Sequence, residues 1–184
     1  MLSLGFLMID PLYLILVMGP GMLLGLAAQS KVKSAFDKGS KLRSASGVTG
    51  AQAAAQIMRA NGVDDVSIEP AQGFLSDHYD PRTKTLRLSP SVYQESSLSA
   101  LGVAAHEAGH ALQDAKGYLP LVLRNALVPL ASIGSGLSYV LLFAGLILQI
   151  TGLMYVGIAF FGATVVFQLV NLPCEFNASS RARE

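Results

Sequence analysis

His106-Glu107-Ala108-Gly109-His110 has the pattern H-E-x-x-H. On a helix, residues i and i+4 lie about 40° apart around the axis and about 6 Å along it, so both imidazoles can reach one metal ion. Glu107, about 100° round from His106, stays free to take a proton from a water held at such a site. The chemistry this spacing serves is metal-assisted hydrolysis. Its bland counterpart is a pair of core histidines. A tetrahedral catalytic zinc takes three protein ligands and keeps one position open. Cys174 is the single cysteine and His78 the one other histidine, so no cysteine cluster is available to complete it. Glu175 is the first charge after a long uncharged run; it is either the third ligand or an interfacial charge that ends a membrane helix.

These residues need elements to hold them. Ser96 or Ser97 can cap a helix running from Leu98 to about Ala115, and Gly117 stands where it should stop. On that helix Leu98, Leu101, Ala105, Ala108 and Leu112 form an apolar stripe, which should pack inward and leave the histidines facing a cleft. Upstream, Thr49-Gly-Ala-Gln52 has capping-box spacing, so a helix should follow through Ala51 to Ala60, closed by a left-handed Asn61-Gly62. Val66 to Glu69 alternates like a short strand. Leu75 to Tyr79 and Thr85 to Ser89 flank the turn former Asp80-Pro-Arg-Thr, which predicts a β-hairpin before the histidine helix, ended by Pro90. His78 and Tyr79, on that hairpin, are candidate donors to an oxyanion, and their strand is an edge to which an extended substrate can add. A surface histidine held by Asp77 or Asp80 is the equal alternative for His78. Arg82 either binds a substrate carbonyl or closes the turn.

Composition adds the membrane. Charged residues make up 14% of the 184, hydrophobic ones 52%, and mean hydropathy is +0.48, against roughly 25% charge in a soluble domain. From Asn125 to Cys174 no Asp, Glu, Lys, Arg or His occurs in 50 consecutive residues, while residues 31–124 hold 20 of the 25 charges. An ordinary soluble globule and a disordered chain are both excluded. The uncharged run is long enough for two passes of about 20 residues, read as Ala126 to Leu148 and Gly152 to Leu172 with Gln149, Ile150 and Thr151 between them. Ala131, Ser132, Gly134, Ser135, Gly136 and Ser138 would let the arms approach closely. A third segment, from about Pro11 to Ala28, should be kinked or broken at Gly19-Pro20-Gly21. No Lys or Arg precedes it, and Lys31, Lys33, Lys38, Lys41 and Arg43 follow, so it reads as a retained anchor with the N-terminus outside and the chain after residue 30 in the cytoplasm. Two further crossings return Glu175 to the face that carries His106 and His110. Net charge of +1 gives no reason to expect nucleic acid.

His106-Glu-Ala-Gly-His110, the hydrophobic hairpin and Leu172-Pro-Cys-Glu-Phe-Asn-Ala-Ser-Ser-Arg-Ala182 together resemble the YugP-type membrane zinc metallopeptidases, whose wider relatives are the HtpX and CAAX prenyl proteases. Most of the chain takes part, because the anchor, the Thr49-Gly helix, the Asp77-His-Tyr-Asp-Pro-Arg82 hairpin and the zinc helix come in that family's order. The resemblance implies Zn2+ held by His106, His110 and Glu175 in a gluzincin site, with Glu107 as general base. Asn177 departs from it, since the family favours Asp there and an amide carries no charge. Cys174 stands where a small aliphatic residue is expected; as a helical neighbour of Glu175 it points away and is read as packing. Relatives continue beyond this point with another helical stretch, which leaves a C-terminal truncation open.

The expected architecture is a mainly α membrane protein with three transmembrane segments and a small α+β, zincin-like cytoplasmic part. It divides into an anchor at 1–30, the cytoplasmic region at 31–124, a transmembrane hairpin at 125–174 and the start of the third-ligand helix at 175–184. The expected function is a membrane zinc metalloendopeptidase acting on membrane or misfolded protein and peptide substrates, its partners being that substrate and the lipid bilayer. The alternative is a non-catalytic membrane scaffold or inactive relative that keeps a zinc site, against which Glu107 speaks, because a structural zinc needs no base. An intramembrane protease is excluded: Glu95, Asp114 and Lys116 flank the histidine helix, no Asp follows Asp114, and the apolar stretch between Leu98 and Leu112 is too short to span.

Overall fold

The computed structural model describes residues 15, 16, 19–73 and 76–183. The expected N-terminal span from Pro11 therefore lies partly outside the described residues. Its described end opens α1 (Gly19–Ser40). Gly19-Pro20-Gly21 forms the first described turn of this helix, and the expected kink or break there falls against residues 17 and 18, which lie outside the described residues. The far end of α1 docks on the histidine helix, where the Ser99 hydroxyl donates to the Phe36 carbonyl at 2.7 Å.

The polar middle is built from local signals. Thr49 and Gln52 cap α2 (Gly50–Ala60) reciprocally, at 3.0 Å from Thr49 N to Gln52 Oε1 and 3.3 Å from Gln52 N to Thr49 Oγ1. Gly62, at φ +72°, turns the chain out of it. The three strands β1 (Ser67–Pro70), β2 (His78–Asp80) and β3 (Thr85–Leu88) form one sheet in the order β1-β3-β2, with β1 parallel and β2 antiparallel to β3. The expected hairpin is present, shorter than its sequence pattern. Asp80 closes its turn by accepting from Arg82 N at 3.0 Å and Thr83 Oγ1 at 3.1 Å. Pro90 then opens the short α3 (Pro90–Tyr93), and Ser97 caps α4 (Leu98–Ala115) through its bond from Ala100 N.

The core lies between α2, β3, α3 and α4, around Ala54, Met58, Leu86, Leu88, Val92, Ala104 and Ala108. The inward line of α4 is Ala100, Ala104, Ala108, Ala111 and Leu112, whereas Leu98, expected to be buried, is 49% exposed and Leu101 only half-buried. A single-stripe reading fails here because α4 is covered twice, by this core on one side and by the C-terminal helix on the other. The small alanines allow both to come close.

The last two helices, α5 (Leu119–Leu148) and α6 (Thr151–Arg181), make the antiparallel hairpin. Both are long and apolar enough to cross a membrane. Gln149, at φ +58°, turns the chain between them. Ala131, Gly134 and Ser138 of the expected small stripe are buried, joined by Gly145, while Ser132, Ser135 and Gly136 face outward. A Cβ at Gly145 would meet Met154 Cγ at 2.6 Å, and one at Gly157 would meet Leu142 Cγ at 2.8 Å, so the arms touch through their glycines. Tyr139, Phe143, Ile147, Tyr155 and Leu169 are exposed around them. Residues from Glu175 onward do not begin a separate helix: α6 runs through Pro173 without interruption to Arg181.

Candidate metal centre

The histidines of α4 meet Glu175 of α6. His106 Nε2 lies 3.2 Å from Glu175 Oε2, His110 Nε2 lies 3.7 Å from the same oxygen, and one ligand atom from each of the three residues falls within 4.8 Å of the others. The two rings stand edge to face with centroids 4.9 Å apart. Two imidazole nitrogens and a carboxylate oxygen are donors that zinc takes. At zinc–ligand lengths of about 2.0–2.2 Å the corners of a tetrahedron sit roughly 3.4 Å apart, a value bracketed by the 3.2 and 3.7 Å separations. The residues present therefore fit the ion.

Gly109, inside the motif, is what lets α6 come so near. A Cβ there would stand 2.9 Å from the Ala178 carbonyl oxygen and 3.2 Å from its Cα. Any larger residue would hold the two helices, and hence Glu175, away from the histidines.

Each histidine is held from behind. His110, 5% exposed, has Nδ1 at 2.9 Å from Gln113 Oε1, and the Gln113 amide donates to the Cys174 carbonyl at 2.9 Å and to Asn177 Oδ1 at 3.0 Å. Arg181 Nε donates to the same Asn177 oxygen at 2.8 Å. With Gln113 accepting, the proton sits on Nδ1 and the Nε2 lone pair faces Glu175. His106 Nδ1 meets the Ser179 hydroxyl at 3.2 Å. Its hydrogen bond with Glu175 raises the His106 pKa, and the nearby Arg124 guanidinium acts in the opposite sense. Burial raises the Glu107 carboxyl pKa, which brings it closer to the range of a useful general base. Cys174 is fully buried, packed as its position suggested, and enters the network through its carbonyl alone.

Beside the triad lies a cavity of about 520 Å³ lined by His78, Tyr79, Arg82, His110 and Arg124, among others. The hairpin residues thus reach the site, with altered roles. The Tyr79 hydroxyl donates to Asp114 Oδ2 at 2.8 Å; burial, then Asp114, pushes its pKa up. Lys84 pairs with the same carboxylate at 2.9 Å, so Asp114 ties the hairpin to α4. His78 Nδ1 is bonded to the Ser76 carbonyl at 2.8 Å, while the Asp77 carboxylate is engaged by Ser89 and Asp80 by its own turn. Gln113, Ser179, Arg181 and Arg124 did not stand out in the sequence. Gln113 carried one signal, a polar residue three positions after His110 on an otherwise apolar turn.

Over residues 14–184 the chain matches the sequence profile of a family described as "Putative neutral zinc metallopeptidase". It is 49% identical over 157 residues, 85% of this chain and 70% of the relative, to the "Putative membrane protease YugP" of Bacillus subtilis (strain 168). No solved structure matches it.

Proposed function

The chain belongs to the neutral zinc metallopeptidase family, and on that premise we propose that it is a membrane-bound zinc metalloendopeptidase of gluzincin type. His106, His110 and Glu175 hold the metal, and Glu107 is the general base. The observation that carries this reading is the convergence of three ligand atoms within 4.8 Å from two helices, Glu175 standing 69 residues after His106 and 65 after His110, with a half-buried carboxyl on the turn between the histidines.

Zinc bound there supplies a Lewis acid that makes water a nucleophile near neutral pH and polarises the scissile carbonyl. Glu107 Oε takes the proton of the attacking water and later delivers it to the leaving amine. Gln113 and Ser179 fix the imidazoles so that their outward nitrogens need no reorganisation. Among the described residues the outer edge of β2 is unpaired, since β3 occupies its other side, and there an extended peptide can add by main-chain bonds, with its side chains in the cavity. His78 Nε2 is a candidate donor to substrate, Tyr79 supplies a wall fixed by Asp114, and Arg82 lines the same cavity as a candidate contact to a substrate carbonyl. Substrates are unfolded or membrane-embedded segments.

Topologically, the 31–124 region and the metal centre face the cytoplasm. The N-terminal anchor and the hairpin make three spans, the N-terminus lies outside, and the basic stretch after residue 30 sets the orientation.

The test is metal content against activity. Purified chain should hold about one zinc and cleave an unfolded protein; Glu107→Gln should keep the zinc and lose the cleavage, and Glu175→Ala should lose zinc. Proteolysis that survives in Glu107→Gln overturns the mechanism, and unchanged zinc in Glu175→Ala overturns the ligand set.

A further inference from the structure

Arg124 is a cation in the wrong place for a site that binds a cation. It lies in the second turn of α5 and lines the cavity that also touches His110. It stands 24 residues before Leu148, as Glu175 stands 24 residues after Thr151, so in the antiparallel hairpin the two are level, about 36 Å from the turn. Its Nε is buried and makes no hydrogen bond, and among the described residues no carboxylate lies within ion-pair distance of its guanidinium. Arg124 as a whole is half-buried, and a cation held partly out of water beside a dication is disfavoured unless an anion comes between the two.

A peptide bond is neutral in the ground state. Its carbonyl oxygen becomes an anion only as water adds to the carbon. We propose that Arg124 is the hydrogen-bond donor to that oxygen, a catalytic residue whose interaction is made in the transition state and hardly at all with bound substrate. The inference rests on the zinc-peptidase reading above and deepens it. Arg124 donates a hydrogen bond and transfers no proton, so the proton balance stays with Glu107. It also takes the part expected of Tyr79, whose hydroxyl is committed to Asp114.

The experiment uses the zinc-loaded full chain in detergent, a peptide substrate blocked at both ends, and a peptide phosphinate as a stable tetrahedral anion. Arg124→Gln should keep its zinc, lower kcat by about 10²–10³-fold with KM within about threefold, and weaken phosphinate binding, read by calorimetry, by a similar factor. Arg124→Lys should recover part of both losses. Unchanged phosphinate affinity in Arg124→Gln overturns the proposal. So does a loss confined to KM, or loss of zinc in both variants, which would make the residue structural. If the wild-type chain cleaves nothing, the peptidase reading fails instead, and phosphinate binding to wild type and variant still decides whether Arg124 faces an anion.

Discussion

Replacing Gln113 by leucine removes a side chain that is fully buried and makes three hydrogen bonds of 2.9, 2.9 and 3.0 Å. Two separate consequences follow. His110 loses the acceptor that keeps its proton on Nδ1, so the tautomer with a free Nε2 is no longer selected, and outer partners of this kind are worth about 10–100-fold in metal affinity. That factor is about 1.4–2.7 kcal/mol, in line with one buried hydrogen bond plus the desolvation of the group left behind. The Cys174 carbonyl also loses its donor, while Asn177 keeps its bond from Arg181, so the folded state should lose a further 1–3 kcal/mol or so. Gln113→Glu separates the two effects. It still accepts from His110 but turns an acceptor toward the Cys174 carbonyl and Asn177 Oδ1, so it should spare zinc affinity more than Gln113→Leu while lowering stability at least as far. Zinc affinity is read by competition with a chromophoric chelator, and stability by thermal unfolding of the metal-free protein. A Gln113→Leu protein with lowered unfolding temperature and wild-type zinc affinity would refute the reasoning, because the network would then hold helices together without serving the metal.

Gly109→Ala should force α4 and α6 apart by a few tenths of an ångström at Ala178, at a cost of about 1–3 kcal/mol, and lower zinc affinity; an unchanged affinity would mean Glu175 can follow the histidines. Tyr79→Phe should cost about 1 kcal/mol of stability through the lost bond to Asp114 and leave kcat nearly unchanged. A large fall in kcat at constant unfolding temperature would return its hydroxyl to the substrate. An amine-reactive label that cannot cross the membrane should modify Lys41 in inverted vesicles and leave it untouched on intact cells; the opposite pattern would reverse the proposed orientation.

Short-range features were the legible ones. The Thr49–Gln52 box, the Ser97 cap, the Asp80 turn and the H-E-x-x-H spacing are each complete within a few residues, and each has the local structure its chemistry demands. What depends on a second element was not legible. The face of α4 could not be read from its apolar positions, because two different neighbours cover it and alanine suits both. Gln113 looked like one polar residue among many until α6 supplied its acceptors, Cys174 O and Asn177 Oδ1. Asn177 was read as a lost charge; in the structure its oxygen takes bonds from both Gln113 and Arg181, a role an amide oxygen fills without charge. Glu175 stood between, reachable by counting crossings yet not placed within ångströms.

The unbroken run of α6 from Thr151 to Arg181 makes the metal centre sensitive to helical phase. Removing one residue anywhere between the hairpin turn and Glu175 would swing its carboxylate about 100° around the axis and draw it about 1.5 Å toward the hairpin turn. Seven residues added to one arm would restore the face to within about 20° but displace Glu175 from its level by roughly 10 Å. Only matched changes of about seven residues in both arms keep face and level together, so the lengths of these two long apolar helices are specified as strictly as the residues of the site themselves.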